Sequence, residues 1–320
     1  MQIPDRVIKN QPGNSKERTK LALLLSVLEQ GLIYGIMGLG VYITYKILDF
    51  PDLTVDGSFP LGAAIACILI SKGIPAILTL PVCFFAGAFV GMLTGLIHVK
   101  CKVRDLLSGI IMMTALYTVN LRIAGRANLP IYNADNIFDN SLVNGIFKGS
   151  LENCKTVIVI LVITVMTKCL LDWYLSTKSG FLLRAVGDND TIVTSLGVDR
   201  GLVKIVGLSV ANALVTLSGC IFAQQQRFFD ISVGTGTVVI GLASVIIGTS
   251  LFRKVTLWKV TTSVVAGSLI YKGCVALAIR MGLASSDLKL ITAVLFLIIL
   301  VLGMDRKKKV KTDVDIETNQ

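Results

Sequence analysis

Residues 179–199 read SGFLLRAVGDNDTIVTSLGVD, a polar stretch that lies between two long apolar runs at 156–174 and 203–224. Each run is about 20 residues long and carries few charges, which are the length and composition of a helix that crosses a lipid bilayer. This region therefore predicts two membrane spans joined by a polar connection.

The same pattern extends over the whole chain. Of its 320 residues, 53% are hydrophobic and only 16% are charged, and the mean hydropathy is +0.75, whereas soluble domains carry about a quarter charged residues. The apolar segments lie at residues 21–45, 58–70, 75–97, 105–123, 156–174, 203–224, 235–252, 259–280 and 288–304. The sequence predicts an all-α, polytopic protein with one transmembrane domain at 20–304.

The net charge of +11 is carried by short basic clusters beside the apolar runs, at 16–20, 100–104 and 306–309 among others. Such clusters are typical of cytoplasmic loops and tails, some of which contact anionic lipid. They do not form the continuous basic surface that nucleic acid would need. We therefore expect a membrane protein without a nucleic-acid partner.

Charge also predicts the topology. By the positive-inside rule, the tails 1–19 and 305–320 and the connection 176–202 are expected to be cytoplasmic, and the base-poor loop 125–155 external. Two tails on one side require an even number of full spans, although there are nine apolar segments. We expect eight full spans, with the weakest segment, 58–70, broken or re-entrant.

The segment before 58–70 is polar where the bilayer would be, and acidic groups at that depth are costly unless they are paired or functional. Its residues are candidates for a solute pathway: Asp52, Thr54, Asp56, Ser58 and Phe59. Capping of the next helix is the alternative for Asp56 and Ser58, and simple packing is the alternative for Phe59.

A similar segment recurs 178 residues later. Phe50-Pro-Asp52-Leu-Thr54-Val reappears as Phe228-Phe-Asp230-Ile-Ser232-Val, and each copy is followed by glycine and an apolar run. Matching interrupted segments in two halves point to the central pathway of a transporter, which adds Asp230 to the candidates. The pattern indicates a two-fold internal repeat, with coincidence as the alternative. An inverted repeat would make 58–70 a full span and place the N-terminus outside.

The polar stretch itself contains helix signals. Gly187, Asp188 and Asn189 predict a helix start, because Asp and Asn cap free backbone N–H groups. Leu196 and Gly197 predict its end, because glycine is favoured just after the last helical residue. A helix of about two turns in this connection would provide a rigid docking element for a cytosolic partner. The alternative is a surface loop that only connects the two spans.

The stretch fits the pattern G-x-x-x-R-A-x-G-D-N-x-x-x-x-x-x-L-G-V, which begins at Gly180. This pattern resembles the cytoplasmic coupling motif of the branched-chain amino acid and ribose permeases, a family of ABC transporter subunits. Residues 48–64, LDFPDLTVDGSFPLGAA, resemble one branch, whose permeases are paired with tryptophan/tyrosine-type substrate-binding lipoproteins. The likeness runs from about Gly31 to Gly303, and the tails lie outside it.

The resemblance implies a helical importer permease in the bacterial cytoplasmic membrane that acts as a homodimer. Cytosolic ABC ATPase subunits would dock on the coupling loop, and an external binding lipoprotein would deliver an amino acid, possibly aromatic, or a similar small solute. The coupling role that the motif implies falls on Arg184, Gly187, Asp188, Asn189, Leu196 and Gly197.

Other function classes have less support in the sequence. A single histidine, His98, and the lack of Cys/His ligand spacings argue against a catalytic triad or a metal site. The pattern G-x-x-x-x-G-K-[S/T] does not occur, so ATP would be used by a partner and no cofactor is expected in this chain. The alternative is an ion-gradient-driven secondary transporter that uses Asp52 and Asp230.

Overall fold

The structure, a computed structural model, describes residues 15–132, 134–140, 145, 154–188, 193–194, 197–252, 258–280, 290, 293–294 and 297–298. The described elements are α1 (Ser15–Val41), which continues as a π-helix (Tyr42–Ile47), α2 (Val55–Ser71), a 3-10 turn (Ala76–Leu78), α3 (Thr79–Lys100), α4 (Asp105–Ala124), β1 (Asn128–Pro130), α5 (Lys155–Leu175), α6 (Lys178–Asp188), α7 (Arg200–Gln226), β2 (Phe228–Asp230), a 3-10 turn (Ile231–Gly234), α8 (Thr237–Leu251) and α9 (Val260–Arg280).

This architecture confirms the all-α membrane fold. Within the described residues, seven helices are long and apolar enough to cross a bilayer, and α2 is a shorter apolar helix. They match eight of the predicted apolar segments to within a few residues. The ninth, 288–304, lies almost entirely outside the described residues.

The bundle is built around α7, in which every residue from Ala211 to Gln224 is buried. Helix α3 approaches it through Gly87, Gly91 and Gly95, spaced four residues apart. A Cβ atom at Gly91 would overlap the carbonyl oxygen of Leu208. Small residues at this spacing let two helix backbones approach closely in lipid, where apolar burial does not drive association.

The predicted interruption lies at 48–54, between the π-helical end of α1 and the start of α2. These seven residues are not in a regular helix, yet Phe50, Asp52 and Thr54 are buried. Irregular backbone at membrane depth is tolerated where protein encloses it. Residues 58–70 are helical throughout, and α2, at 17 residues, spans about 25 Å.

Helix α2 carries the chain from one end of the bundle to the other. Its first turn follows the end of α1, whereas Ala63, Cys67 and Ile70 pack with Leu129 and Phe229 of the two short strands. The strands pair antiparallel, with Leu129 opposite Phe229. We call this end of the bundle the sheet end, and α6 lies at the opposite end.

The start of α1 lies toward the sheet end, away from α6. Gln225, at the end of α7, donates a hydrogen bond to Glu29 of α1 over 2.8 Å, whereas Ile47 at the other end of α1 contacts Gly187 of α6. The start of α1 and helix α6 therefore lie at opposite ends of the bundle, which does not fit the expectation that the residues before α1 and the connection 176–202 share the cytoplasmic side.

The physical reason is that helix packing decides at which end of the bundle the start of α1 lies, and the local number of basic residues does not. The first helix has 27 α-helical and 6 π-helical residues, more than the roughly 20 that a bilayer requires. Its first turns can project into water on either side, so basic residues there carry little information about orientation.

The sequence repeat has a structural counterpart. A shift of 178 residues aligns α1 with α7, α2 with α8 and α3 with α9, and the C-terminal ends of the paired helices agree to about two residues when the π-helical extension of α1 to Ile47 is included. In both copies the aspartate accepts a hydrogen bond from the N–H two residues later: Asp52 from Thr54 at 2.8 Å and Asp230 from Ser232 at 2.7 Å. Because α1 and α7 run in opposite directions, the copies are inverted.

Candidate solute pathway and coupling site

Helix α6 is amphipathic and lies flat against one end of the bundle. Gly180, Leu183 and Val186 are buried, and the opposite face exposes a stripe of side chains at spacings of three and four residues. We call this stripe the coupling face: Lys178, Phe181, Arg184 and Asp188. Phe181 is 61% exposed, so this face carries an aromatic side chain beside its charged ones.

Close backbone contact fixes α6 to the first span. A Cβ atom at Gly187 would overlap the carbonyl oxygen of Ile47, so the position accepts only glycine without a shift of one helix. On the same buried face, Leu183 packs over Gly207 of α7. Helix α6 therefore contacts the end of α1 directly, next to the interruption at 48–54.

The predicted helix boundaries in this connection were partly right. Gly187 and Asp188 belong to α6, so no helix starts at these two residues, and the third residue of the predicted start, Asn189, is not among the described residues. Gly197 has a left-handed backbone, with φ +74, and its N–H bonds the Thr194 carbonyl while Val198 N–H bonds that of Val193. Residues 193 and 194 are helical and the left-handed Gly197 follows them, which is the geometry expected of a glycine at a helix end. Asn189 and Leu196 lie outside the described residues.

A cleft of about 300 Å³ separates α6 from the ends of α5 and α9. Asp172 on its wall forms ion pairs with Lys168 at 3.0 Å and Lys259 at 3.4 Å, and it accepts a hydrogen bond from Thr261. Arg184 of the coupling face reaches the same cleft. These contacts connect α5 to α9 beside the coupling face.

The interrupted segment is bonded to α7 by a buried polar network. Asn212 of α7 donates to the Asp52 carboxylate at 2.9 Å and accepts from the Ser58 hydroxyl at 2.7 Å. The hydroxyls of Thr54 and Thr94 are 3.2 Å apart. All of these side chains are buried, so three of the predicted pathway residues form a satisfied joint between α2, α3 and α7 in this conformation.

Asp56 caps a helix, although not its own. Its carboxylate accepts from the N–H groups of Gly236 and Val238 at 3.1 and 2.8 Å and from the Thr237 hydroxyl at 2.9 Å. It therefore holds the N-terminus of α8, where an anion is favoured by the free N–H groups and the helix dipole. The capping alternative describes its role here, across the two halves of the repeat.

Asp56→Asn is expected to lower the free energy of unfolding by about 1–2 kcal/mol, because an amide N–H₂ would face a backbone donor at the start of α8. Thermal unfolding of the purified protein in detergent measures this. Asp49→Asn is the matched control, since Asp49 is exposed with φ 50, a conformation that asparagine tolerates. Equal midpoints for the two variants would contradict the capping role.

The two remaining pathway candidates lie apart from the network. Phe59 is fully buried and stacks on Tyr34, with ring centroids 5.6 Å apart. Asp230 is partly exposed at the sheet end, where it caps a 3-10 turn through Ser232 and lies 3.5 Å from Asn128. The structure thus brings Asp52, Thr54 and Ser58 together and leaves Asp230 separate.

Sequence reasoning missed Asn212, the residue that joins the network. Its only signal was an asparagine in the middle of an otherwise apolar run, at a depth where a side-chain amide needs partners.

Comparisons with known proteins identify the family of this chain. The family model described as "Branched-chain amino acid transport system / permease component" matches residues 23–302. The tyrosine transport system permease protein of Clostridioides difficile is 41% identical over 88% of this chain and 91% of its own length. The ribose import permease RbsC of Escherichia coli K12 is 24% identical, over 70% and 68% of the two chains.

A probable branched-chain amino acid permease, LivH of Methanocaldococcus jannaschii, is 26% identical over 67% of this chain and 70% of its own length. No solved structure matches the chain. With its apolar helices, the protein is a multi-pass protein of the cytoplasmic membrane. The chain belongs to the branched-chain amino acid and ribose-type family of permeases, the membrane components of ABC import systems.

Proposed function

We propose that this chain forms the solute pathway of an ATP-driven importer for an aromatic amino acid. The observation that carries the proposal is the backbone contact between Gly187 of α6 and Ile47. Ile47 is followed at once by the interruption at 48–54, whose Asp52 is bonded to α7. A force applied to α6 therefore reaches the irregular backbone inside the membrane through rigid contacts.

The mechanism follows from these contacts. A cytosolic ATPase bound to the coupling face would displace α6 when the ATPase binds and hydrolyses ATP. Ile47 would move with α6, and the joint formed by Asp52, Asn212 and Ser58 would rearrange between two states. The pathway would open alternately to each side, and this chain would perform no covalent chemistry and bind no cofactor.

The identity of the solute is supported by the 41% identity to the C. difficile tyrosine permease, over nearly the full length of both chains. The weaker likeness to ribose and branched-chain amino acid permeases supports a small polar solute in general. An external binding protein would select among such solutes before they reach the membrane.

The two ends of the bundle would receive different partners. ABC ATPase subunits would dock on the coupling face in the cytosol, and a second copy of this chain would complete the pathway as a homodimer. If α6 is cytoplasmic, as this proposal requires, the sheet end and the start of α1 would be external. The sheet end would then receive the binding protein.

The double substitution Phe181→Asp and Arg184→Glu is expected to reduce ATP-driven uptake at least tenfold, because aromatic and arginine side chains often dominate such interfaces. Both side chains are exposed, so the bundle should still fold. Co-purification of the ATPase and uptake by proteoliposomes with the binding protein measure the effect. Tyr132→Asp, an exposed position at the sheet end, should keep the ATPase bound.

Uptake that needs no ATPase and follows a proton or sodium gradient would contradict the proposal. That result would indicate the secondary transporter instead. Retention of the ATPase by the double variant would contradict the assignment of the coupling face.

A further inference from the structure

Lys272 is a cation inside the membrane-spanning helix α9. Its ammonium nitrogen lies 3.7 Å from the centroid of the Tyr34 ring. Among the residues that the structure describes, no carboxylate forms an ion pair with it. A charged side chain within a span is costly and usually faces a pathway or the interior of the bundle. Lys272 as a whole is partly exposed on the single chain, while its ammonium nitrogen lies over the buried Tyr34 ring.

The ring beneath the ammonium is held firmly. Tyr34 stacks on Phe59 at an interplanar angle of 13° and meets Phe222 edge-on, with centroids 5.9 Å apart, and Phe59 and Phe222 lie 5.4 Å from each other. All three rings are buried. A cation over an aromatic face is attracted to it, yet the ring neutralises no charge. Tyr34 thus positions the ammonium and leaves its charge uncompensated.

The four side chains meet at the interface between the two halves of the inverted repeat. Tyr34 belongs to α1 and Phe59 to the first turns of α2, whereas Phe222 belongs to α7 and Lys272 to α9. Two helices come from each half of the inverted repeat, and Phe59 lies just after the interruption. Solute sites of repeat-built transporters lie at the interface between the halves, near interrupted helices.

We propose that Lys272 is the intramembrane contact for the carboxylate of the transported solute, and that Tyr34 is its positioning residue. This inference rests on the proposed function, since an amino acid carries a carboxylate in every case. A charge-assisted hydrogen bond between ammonium and carboxylate is strong where water is excluded. The contact would hold the solute between its release by the binding protein and its exit.

Lys272→Met tests the proposal in the complete complex of permease, ATPase and binding protein, reconstituted in vesicles with tyrosine as the probe. The number of tyrosine molecules taken up per ATP hydrolysed is expected to fall at least tenfold, while stimulated ATP hydrolysis stays within twofold of the wild type. Lys272→Arg, which keeps the charge, should retain most of the ratio. Lys72→Met removes an exposed cation after α2 and should leave the ratio unchanged.

The positioning role has its own pair of variants. Tyr34→Phe keeps the ring and should behave like the wild type, whereas Tyr34→Leu should lower the uptake ratio and leave ATP hydrolysis in place. If the complex with Lys272→Met does not assemble, Lys272→Gln and the two Tyr34 variants test the proposal by the same ratio of uptake to ATP hydrolysis.

Several results would overturn the inference. One is an unchanged ratio in Lys272→Met, and another is a loss of ATP hydrolysis equal to the loss of uptake, which would indicate a structural role. If the wild-type complex carried only an uncharged solute, Lys272 would have no carboxylate to bind, although ATP-driven import would stand. A wild type that imports nothing with ATP would instead refute the proposed function itself.

Discussion

Alanine at Gly187 is expected to separate ATP hydrolysis from solute uptake, with uptake per ATP falling at least tenfold. The added methyl group would overlap the carbonyl oxygen of Ile47, so α6 must move away from the end of α1. Both of these groups are fixed to the backbone, and neither can rotate aside. The coupling face is untouched, so the ATPase should still bind while its motion no longer reaches the interruption at 48–54.

Gly273→Ala is the matched control, because it is also a helical glycine and a Cβ atom there meets nothing within 4 Å. It should leave uptake unchanged, and alanine should even favour the helix by up to about 1 kcal/mol. Measurement of ATP hydrolysis and uptake on the same vesicles separates uncoupling from loss of the ATPase. Normal uptake by Gly187→Ala would show that force does not pass through the contact with Ile47.

Much of this fold could be predicted because membrane spans are a local property of sequence. Length and hydropathy identify a span such as 156–174 without knowledge of its neighbours, and the glycine that ends a helix, Gly197, is also a local signal. The polar interruption before α2 was visible because Asp52 and Thr54 stand where apolar residues are expected.

The rest depends on contacts between distant residues, which a single sequence does not reveal. Asp56 was a candidate for the solute pathway, with capping of its own helix as the alternative, yet it caps α8, whose Val238 lies 182 residues away. The side of the N-terminus was inferred from basic residues near α1, but the packing of Glu29 against Gln225 decides it. Gly187 was interpreted as part of a helix start from its neighbours in sequence. Its close contact with Ile47, which belongs to a different span, is not visible in the sequence.

The network around Asp52 carries the second large prediction. Asn212→Asp is expected to destabilise the permease by about 3 kcal/mol, because two buried carboxylates would then face each other where one donor and one acceptor meet now. The double variant Asp52→Asn with Asn212→Asp exchanges the two groups and should recover most of the loss. In the exchange, the amide introduced on the interrupted segment still accepts from Thr54 N–H and donates across to α7. The carboxylate introduced on α7 accepts from both that amide and the Ser58 hydroxyl.

Asp52→Asn alone separates the structural role of this network from a functional one. An amide at position 52 can accept only one of the two hydrogen bonds that Asp52 accepts from Thr54 N–H and Asn212, so the thermal midpoint should fall, although by less than in Asn212→Asp, which adds a second buried charge. If the negative charge itself takes part in the alternating movement, uptake should fall in both Asp52→Asn and Asn212→Asp, and the exchanged pair should restore it. If stability is restored by the exchange while uptake is not, the charge is needed on the interrupted segment and not on α7. The free energies of unfolding of all four proteins, measured together with uptake, form a double-mutant cycle. A coupling energy near zero would refute the contact between Asp52 and Asn212.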